Sequence, residues 1–193
     1  RYSYNPGIRE QLRQDLHIEN KFVVGHVGHF NYQKNHEYLL SIFREILRIN
    51  PESVLLLVGA GENQKQIEIL VKEYGIADHV IFYGVTNDIP SVMMAMDVFV
   101  FPSRFEGFGN VLIEAQACGL KCFASNSVIP KAVQITKNVT WIDLDEPYQV
   151  WAEKILSIGS DYERKSHVEA VIAAGHDISN MAKDLENMYY TGR

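Results

Sequence analysis

The stretch FPSRFEGFGNVLIEAQACG, residues 101–119, determines how the rest of the chain is interpreted. It begins at the end of the apolar run 98–101, which lacks the alternation of a half-exposed strand and predicts a strand covered on both faces. Pro102 ends this strand, because proline has no N–H to donate to a neighbouring strand. Gly107 and Gly109 then predict a tight turn that lets the backbone approach a ligand closely.

The helix after this turn is predicted to be buried. Asn110 is its expected N-cap, and Gly119 lies where the residue after the C-cap belongs. Between them no broad polar face remains. Glu114 nevertheless lies within this helix, where a carboxylate is costly unless it is hydrogen-bonded or paired with a cation. Glu106 lies just before the helix, near the positive end of its dipole, which favours anions.

Two interpretations of the acidic residue inside the helix are open. Two hydroxyls of a sugar could donate hydrogen bonds to the two carboxylate oxygens of Glu114. Alternatively, Glu114 pairs with a basic residue and the glycines only shape a turn. The first interpretation makes this region a ligand site, and the second makes it purely structural.

The pattern Pro-Ser-x-x-Glu-Gly-Phe-Gly-x-x-x-x-Glu-Ala-x-Ala-x-Gly, which begins at Pro102, resembles the signature of the group 1 family of retaining glycosyltransferases. Members of this family have the two-domain GT-B fold. The resemblance implies that Glu106 faces the donor sugar and that Glu114 holds the ribose of the nucleotide. The backbone amides of residues 107–110 are expected to stabilise the leaving diphosphate as negative charge builds on it.

A second polar loop follows the predicted strand 22–27, and in open α/β sheets ligands bind at such carboxyl ends. Lys34 in this loop is a point charge suited to phosphate, although an exposed loop lysine is the alternative interpretation. In the family, an arginine and a lysine of this loop hold the donor diphosphate. Lys34 matches the lysine, but His29 stands at the arginine position. Histidine is mostly neutral near pH 7, so His29 is expected to donate one hydrogen bond at most.

The resemblance also places two further turns near the nucleotide. Gly59 and Gly61 match a family Gly-x-Gly turn that comes close to the nucleotide, although such a turn is by itself a weak signal. Val85 and Thr86 lie in the loop that passes the base in the family. The implied catalytic residues are Glu106, Lys34 and His29, and the implied nucleotide-binding residues are Glu114, Gly107, Phe108, Gly109, Asn110, Gly59, Gly61, Val85 and Thr86.

Strands alternate with helices along the chain, which predicts an α/β fold with a doubly wound, Rossmann-like parallel sheet. This is the architecture of the nucleotide-sugar-binding half of a GT-B glycosyltransferase. The predicted strands are 22–27, 54–58, 80–82, 98–101, 120–125 and 139–142. The predicted helices are 8–16, 36–49, 63–74, 88–95, 110–118, 147–158, 161–174 and 177–190.

Length and composition set further bounds. A chain of 193 residues allows one domain, and its net charge of −6 argues against nonspecific nucleic-acid binding. No run approaches the length of a membrane span, and no signal peptide opens the sequence. Cys118 and Cys122 are spaced as a metal pair could be, but reduced buried thiols are the favoured interpretation. The resemblance implies no metal and no cofactor besides the substrate, a UDP- or GDP-type nucleotide-diphosphate sugar.

The resemblance covers only the C-terminal half of family members. Residues 1–193 are therefore expected to form a single donor-binding domain, a fragment whose terminal segment 177–193 would cross to the absent N-terminal domain. A glycan or lipid-linked acceptor is expected to bind through that missing half, so the chain alone should bind nucleotide weakly and transfer little. The full-length protein is expected in the cytoplasm, with peripheral association at the inner face of the membrane. An exposed apolar stripe on the last helix could pair two copies of the fragment.

The expected activity is sugar transfer with retention of configuration in the synthesis of a bacterial surface or capsular polysaccharide. Two alternatives remain open at this point. One is a nucleotide-sugar 2-epimerase on the same architecture. The other is a nucleotide-sugar-binding module without transferase activity, for which His29 is the best support.

Overall fold

A computed structural model describes residues 2–126, 128–158 and 162–176. Within these residues, six parallel strands form one sheet. The strands are β1 (Phe22–Val27), β2 (Ser53–Val58), β3 (Val80–Gly84), β4 (Val98–Phe101), β5 (Lys121–Ser125) and β6 (Val139–Ile142). The helices are α1 (Pro6–Asp15), α2 (His36–Ile49), α3 (Gln64–Glu73), α4 (Ile89–Ala95), α5 (Asn110–Ala117), α6 (Tyr148–Leu156) and α7 (Val168–Ala173). The predicted doubly wound parallel sheet is confirmed.

The strand order β3-β2-β1-β4-β5-β6 creates a switch point in the middle of the sheet. The chain builds outward from β1 to β3, then returns and builds outward on the other side from β4 to β6. The connections after β1 and β4 therefore leave the sheet in opposite directions. A crevice opens between them at the carboxyl ends of these strands, which is where ligands bind in open α/β sheets.

Both faces of the sheet are covered, as the uninterrupted apolar strands predict. Every residue of β2 is buried, with Leu56 in one apolar core and Leu55 in the other. The helices α2, α3 and α6 cover the face of Leu55, and α1, α4 and α5 cover the face of Leu56. Because successive side chains point to opposite faces of a sheet, one apolar strand contributes residues to the cores on both faces.

The helix α5 is buried as predicted, but its N-terminus differs from the prediction. Gly109, with φ of 92°, precedes the helix, and Asn110 is the first helical residue and makes no capping hydrogen bond. A positive φ favours glycine over asparagine at this boundary. At the other end, Gly119 has φ of 72° and its N–H donates to the Gln116 carbonyl at 2.9 Å, so its place after the C-cap is confirmed.

The helix predicted over 161–174 is wrong for most of its length. Only Val168–Ala173 is helical, and residues 162–167 have no regular secondary structure. The predicted last helix, 177–190, lies outside the described residues. The segment 162–167 runs along the end of α5, where the His167 N–H donates to the Ala117 carbonyl at 3.0 Å.

The contacts of Arg164 hold this segment against the ends of α4 and α5. Its Nε donates to the Cys118 carbonyl at 2.8 Å, and Nη1 and Nη2 donate to the carbonyls of Met96 at 2.8 Å and Met93 at 3.0 Å. These carbonyls lie at the C-terminal ends of α4 and α5, where the last carbonyls of a helix lack their usual partners. The Met93 carbonyl also accepts the Met96 N–H at 3.3 Å. Burial lowers the pKa of Arg164 to about 10, which still leaves the guanidinium charged at neutral pH.

Replacing Arg164 with alanine is expected to destabilise the chain by about 2 kcal/mol, because several carbonyls lose a charged donor. Urea unfolding followed by circular dichroism measures this change. Arg48→Ala is the matched control, since that side chain is 74% exposed and, among the described residues, its ion pair is with Glu45 one turn away; it should shift the midpoint little. Equal midpoints for the two variants would contradict this role of Arg164.

Candidate functional site

A cavity of about 410 Å³ lies at the carboxyl ends of β1 and β4. We call it the β1–β4 cavity, and its lining residues are Val27, Gly28, Lys34, Glu106, Phe108, Gly109, Asn110, Val111 and Glu114. The loop after β1 and the loop after β4 meet here, together with the first turns of α5. Both glutamates of the quoted stretch therefore border the same space, with one of the predicted phosphate-binding cations. A larger open groove of about 550 Å³ near Arg44 and Tyr74 contains none of the predicted site residues.

Lys34 and Glu106 form a buried ion pair at the base of this cavity. Lys34 Nζ lies 2.7 Å from Glu106 Oε1, and the two side chains are 15% and 5% exposed. Gln33 Nε2 donates to the other carboxylate oxygen of Glu106 at 3.1 Å. Lys34 Nζ also lies 4.7 Å from the centre of the Phe101 ring. Both charged groups are thus held in fixed positions before any ligand binds.

Glu114 has a different environment. It is partly buried, and this burial raises the pKa of its carboxyl group above the usual value. The Tyr2 hydroxyl donates a hydrogen bond to the carboxylate, which partly offsets the shift. No lysine, arginine or histidine of the described residues lies within ion-pair distance of Glu114. Within the described residues, Glu114 therefore has no basic partner, and the interpretation that it pairs with one is not supported there.

The glycine-rich turn exposes its backbone to the cavity. Phe108, Gly109 and Asn110 line the cavity, whereas Gly107 lies beside them in open space. The Phe108 ring is 40% exposed and its centre lies 5.6 Å from that of His176. The amides at the start of α5 are available to an anion, because the first N–H groups of a helix have no partner within it.

His29 does not line the β1–β4 cavity. Its Nε2 lies 3.1 Å from Glu62 Oε2, and the two side chains are 61% and 66% exposed. The residue at the family's arginine position is therefore turned toward a carboxylate on a neighbouring loop. Its contact with a diphosphate stays a prediction.

Gly59 and Gly61 lie outside the cavity lining but shape one of its walls. A Cβ on Gly59, which has φ of 131°, would lie 2.1 Å from the Gly28 carbonyl oxygen. A Cβ on Gly61 would lie 2.4 Å from the carbonyl oxygen of Phe30. The two glycines therefore allow the loop after β1 to pack directly on the loop after β2. Their contact with a nucleotide stays a prediction.

Val85 and Thr86 also lie outside the cavity lining, in the loop after β3. The Val85 side chain is 77% exposed. The Thr86 hydroxyl accepts a hydrogen bond from the Asp88 N–H at 3.0 Å, and the Asp88 side chain caps α4. The loop is thus held in shape by its own hydrogen bonds. Its role in binding a base stays a prediction.

Two functional features were not predicted from the sequence. Gln33 is adjacent to Lys34 and orients Glu106 by its hydrogen bond. The one feature of the sequence that could have indicated this role is a polar side chain in the predicted ligand-binding loop. Gln116 lies fully buried in α5, where its Nε2 donates to the Val133 carbonyl at 2.8 Å and its Oε1 accepts from the Thr136 N–H at 2.9 Å. The cost of burying a polar group, which drew attention to Glu114, applies equally to Gln116. Gln116 fastens the loop after β5 to the helix that carries Glu114.

Two buried histidines lie beneath the loop after β1. His26 Nδ1 lies 2.9 Å from the Val100 carbonyl oxygen, and its ring centre lies 4.8 Å from that of His36. Burial lowers the pKa of His26 to about 4 and the pKa of His36 to about 2. Both rings are therefore neutral at pH 7. A Cβ on Gly28 would lie 3.0 Å from His26 Nε2, so this pair is close to the wall of the β1–β4 cavity.

The cysteines show no sign of reactivity. Both are buried free thiols, and burial raises the pKa of Cys118 to about 12 and raises that of Cys122 as well. Across the described part of the chain, no three His, Cys, Asp or Glu side chains cluster in a way that could hold a metal ion. None of the helices described has the length and apolarity needed to span a bilayer.

Residues 8–174 match the model of the family described as glycosyl transferases group 1. Because this match spans most of the chain, the chain belongs to that family. The pattern quoted from residues 102–119 and the parallel sheet both agree with this assignment.

Individual relatives are consistent with the family assignment. EpsF of Bacillus subtilis, named as a glycosyltransferase without a stated substrate, is 33% identical over 172 residues, which cover 88% of this chain and 45% of EpsF. The UDP-Gal:alpha-D-GlcNAc-diphosphoundecaprenol alpha-1,3-galactosyltransferase of Escherichia coli is 36% identical over 110 residues, which cover 55% of this chain and 28% of that enzyme. The chain therefore spans less than half the length of these relatives.

A similar structure is that of HepE from Anabaena, solved in complex with UDP-glucose. The superposition has a TM-score of 0.81 and 25% identity, and it covers 98% of this chain and 54% of HepE. The likeness extends over almost the whole chain, which confirms the Rossmann-like fold of GT-B glycosyltransferases for this chain.

Proposed function

We propose that this chain is the donor-binding domain of a glycosyltransferase that moves a sugar from a nucleotide-diphosphate sugar to a glycan or lipid-linked acceptor with retention of configuration. The observation that carries the proposal is the arrangement of Glu106 and Glu114 around the β1–β4 cavity. One carboxylate is fixed by Lys34, and the other has no cation partner among the described residues. A carboxylate left without a cation in a partly buried position suits a ligand with several hydroxyl groups.

The geometry supports different binding roles for Glu106 and Glu114. Glu114 would accept hydrogen bonds from the ribose hydroxyls, in place of the single bond that Tyr2 now donates. Glu106 would accept from hydroxyls of the donor sugar and steady the positive charge that develops at the reacting carbon. Lys34, held beside Glu106, would stabilise the leaving diphosphate together with the amides at the start of α5.

The relatives include enzymes named for UDP sugars and mycobacterial enzymes named for GDP-mannose. We propose a uridine nucleotide as the donor, because the similar structure that covers 98% of this chain was solved with one. HepE was solved with UDP-glucose, and the Escherichia coli relative uses UDP-Gal. The same enzyme acts on a diphosphoundecaprenol-linked sugar, which supports a lipid-linked acceptor and the assembly of a bacterial surface or capsular polysaccharide. The full-length protein would then work in the cytoplasm, at the inner face of the membrane. We expect most contacts to the acceptor to come from the part of the protein that this chain does not contain.

Isothermal calorimetry with UDP, GDP and ADP tests the proposal. We expect one site per chain, with weak binding that is strongest for UDP. The isolated chain should transfer little or no sugar from UDP-glucose, because a donor domain by itself lacks the acceptor side of the cleft. Absence of binding to all three nucleotides would contradict the proposal, and so would efficient transfer by the chain alone.

A second candidate function is nucleotide-sugar binding without transfer. It is favoured because both residues predicted to hold the diphosphate contact carboxylates instead: His29 contacts Glu62 and Lys34 pairs with Glu106. A diphosphate would then meet little free positive charge. The distinguishing measurement uses the full-length protein with a radiolabelled UDP sugar and a membrane fraction. Nucleotide binding without transfer to lipid in that assay would favour the second candidate.

A further inference from the structure

A second cavity, of about 60 Å³, lies between the loop after β1, the start of α2, the start of α3 and Arg104 in the loop after β4. We call it the small pocket, and the residues important for its chemistry are Tyr32, Asn35, His36 and Arg104. It shares no lining residue with the β1–β4 cavity. Arg104 lies two residues before Glu106, and its N–H donates to the Gln33 carbonyl at 2.8 Å, so the small pocket adjoins the buried ion pair.

Three of the residues that line the small pocket carry buried polar atoms without a partner. Asn35 and His36 are 4% and 3% exposed. Asn35 Oδ1, both ring nitrogens of His36 and Arg104 Nε make no hydrogen bond with any described residue. The Asn35 amide nitrogen donates to the Pro102 carbonyl at 3.1 Å, which fixes the side chain with Oδ1 as an acceptor. Such atoms are costly to bury unless water or a ligand pairs with them.

The mixture of donors and acceptors defines the class of ligand. Arg104 Nε can only donate, Asn35 Oδ1 can only accept, and the neutral His36 ring offers one of each. A phosphate or carboxylate group only accepts at neutral pH, so it would face the Asn35 oxygen unfavourably. A hydroxyl group both donates and accepts, and it matches the set. A volume of about 60 Å³ accommodates one hydroxymethyl arm or about two water molecules, but not a whole sugar ring.

The mouth of the small pocket presents an aromatic surface. Tyr32 is 66% exposed, and the Arg104 guanidinium carbon lies 4.3 Å from the centre of its ring. Aromatic surface beside a few convergent polar groups is typical of small-molecule sites, and an aromatic ring offers a large apolar contact at low cost in conformational entropy. The C–H face of a sugar ring fits this surface.

We propose that Tyr32, Asn35, His36 and Arg104 form a subsite for a sugar of the acceptor, with its ring on Tyr32 and its hydroxymethyl arm in the small pocket. This inference rests on the proposed function. Glu114 and Glu106 would place the nucleotide and the donor sugar in the β1–β4 cavity. A sugar bound by a separate set of residues beside Glu106 is then the second substrate.

Two-dimensional ¹H–¹⁵N NMR titrations of the chain test the subsite. The probes are the methyl glycosides of D-glucose, D-galactose and D-mannose, each compared with its 6-deoxy counterpart. We expect at least one glycoside to shift the amide signals of Tyr32 and Arg104. Its 6-deoxy counterpart should bind about tenfold more weakly or worse, because a hydrogen bond to a charged group is lost. Equal binding of both, or no shift with any glycoside, would overturn the proposal and leave the small pocket as a water site.

A matched pair of variants tests the residues. Arg104→Ala should weaken glycoside binding about tenfold, and Arg104→Lys should not restore it, because lysine lacks the planar donor fork. Arg44→Ala is the control, since Arg44 stacks on Tyr74 at the same 4.3 Å in the distant groove. Unchanged glycoside binding in Arg104→Ala would overturn the subsite. Equal losses in both variants would also overturn it, because a general effect on the chain would then explain them.

A UDP-glucose titration in the same samples separates this inference from the proposed function. If the chain binds the nucleotide but no glycoside, the acceptor subsite is overturned and the proposed function stands. If the chain binds a glycoside but no nucleotide, the proposed function is overturned. The assignment of the glycoside to the acceptor is then overturned as well. When both bind, additive shifts at saturating UDP-glucose support an acceptor subsite. Competition would assign the small pocket to the donor sugar and overturn the acceptor assignment.

Discussion

Replacing Glu106 with glutamine is expected to destabilise the chain by about 3–5 kcal/mol, the usual effect of removing one partner from a buried ion pair. The Lys34 ammonium, with a side chain only 15% exposed, would then lie 2.7 Å from a neutral amide instead of a carboxylate. The amide can also turn its own N–H groups toward this cation. Urea unfolding monitored by tryptophan fluorescence measures the loss.

The surface pair Lys21–Glu52 provides the control. Its nitrogen and oxygen are 2.5 Å apart, but the side chains are 33% and 69% exposed. Glu52→Gln should cause no measurable change, because water screens the charges. The double variant Lys34→Met, Glu106→Leu should recover much of the stability that Glu106→Gln loses, since apolar pairs often replace buried ion pairs well. A Glu106→Gln variant as stable as the parent would show that this pair is not the structural base of the site.

The sequence alone was sufficient to predict the parallel sheet and the buried helix α5, because both depend on local patterns of residues. The uninterrupted apolar runs predict strands covered on both faces, and the burial of the four central strands β2, β1, β4 and β5 confirms this. The glycine after α5 is likewise a local signal, since a positive φ at that position favours glycine over other residues.

The interactions that the sequence did not predict are made between distant residues. Lys34 and Glu106 are 72 positions apart, and each of them was interpreted from the sequence as facing a ligand. In the structure they form an ion pair with each other, because the loops after β1 and β4 meet. Arg164 poses the same problem, because its carbonyl partner on Cys118 lies 46 positions away. No local periodicity indicates such a contact, so the segment around Arg164 was predicted to be helical.

Replacing Glu114 with glutamine is expected to weaken UDP binding tenfold to about a hundredfold, while it makes the free chain more stable at neutral pH. The loss of affinity follows because hydrogen bonds to a charged acceptor contribute about 1.5–3 kcal/mol each. The gain in stability follows because burial penalises the ionised carboxylate, whereas a neutral amide of the same shape can still accept from Tyr2. Residues kept for binding often carry such a cost in stability.

The pH dependence distinguishes this effect from better packing. The pKa of Glu114 is raised in the folded chain, so folding is favoured at low pH, where the group is protonated, and that advantage is lost as the pH rises through the raised value. The stability gain of Glu114→Gln should therefore grow from acidic to neutral pH and then level off. Glu153→Gln, at an exposed position in α6, should show no such trend. Calorimetry with UDP and urea unfolding at several pH values measure both effects. If Glu114→Gln left the UDP affinity unchanged, this carboxylate would not be the group that binds the ribose. Other groups of the β1–β4 cavity would then hold the nucleotide.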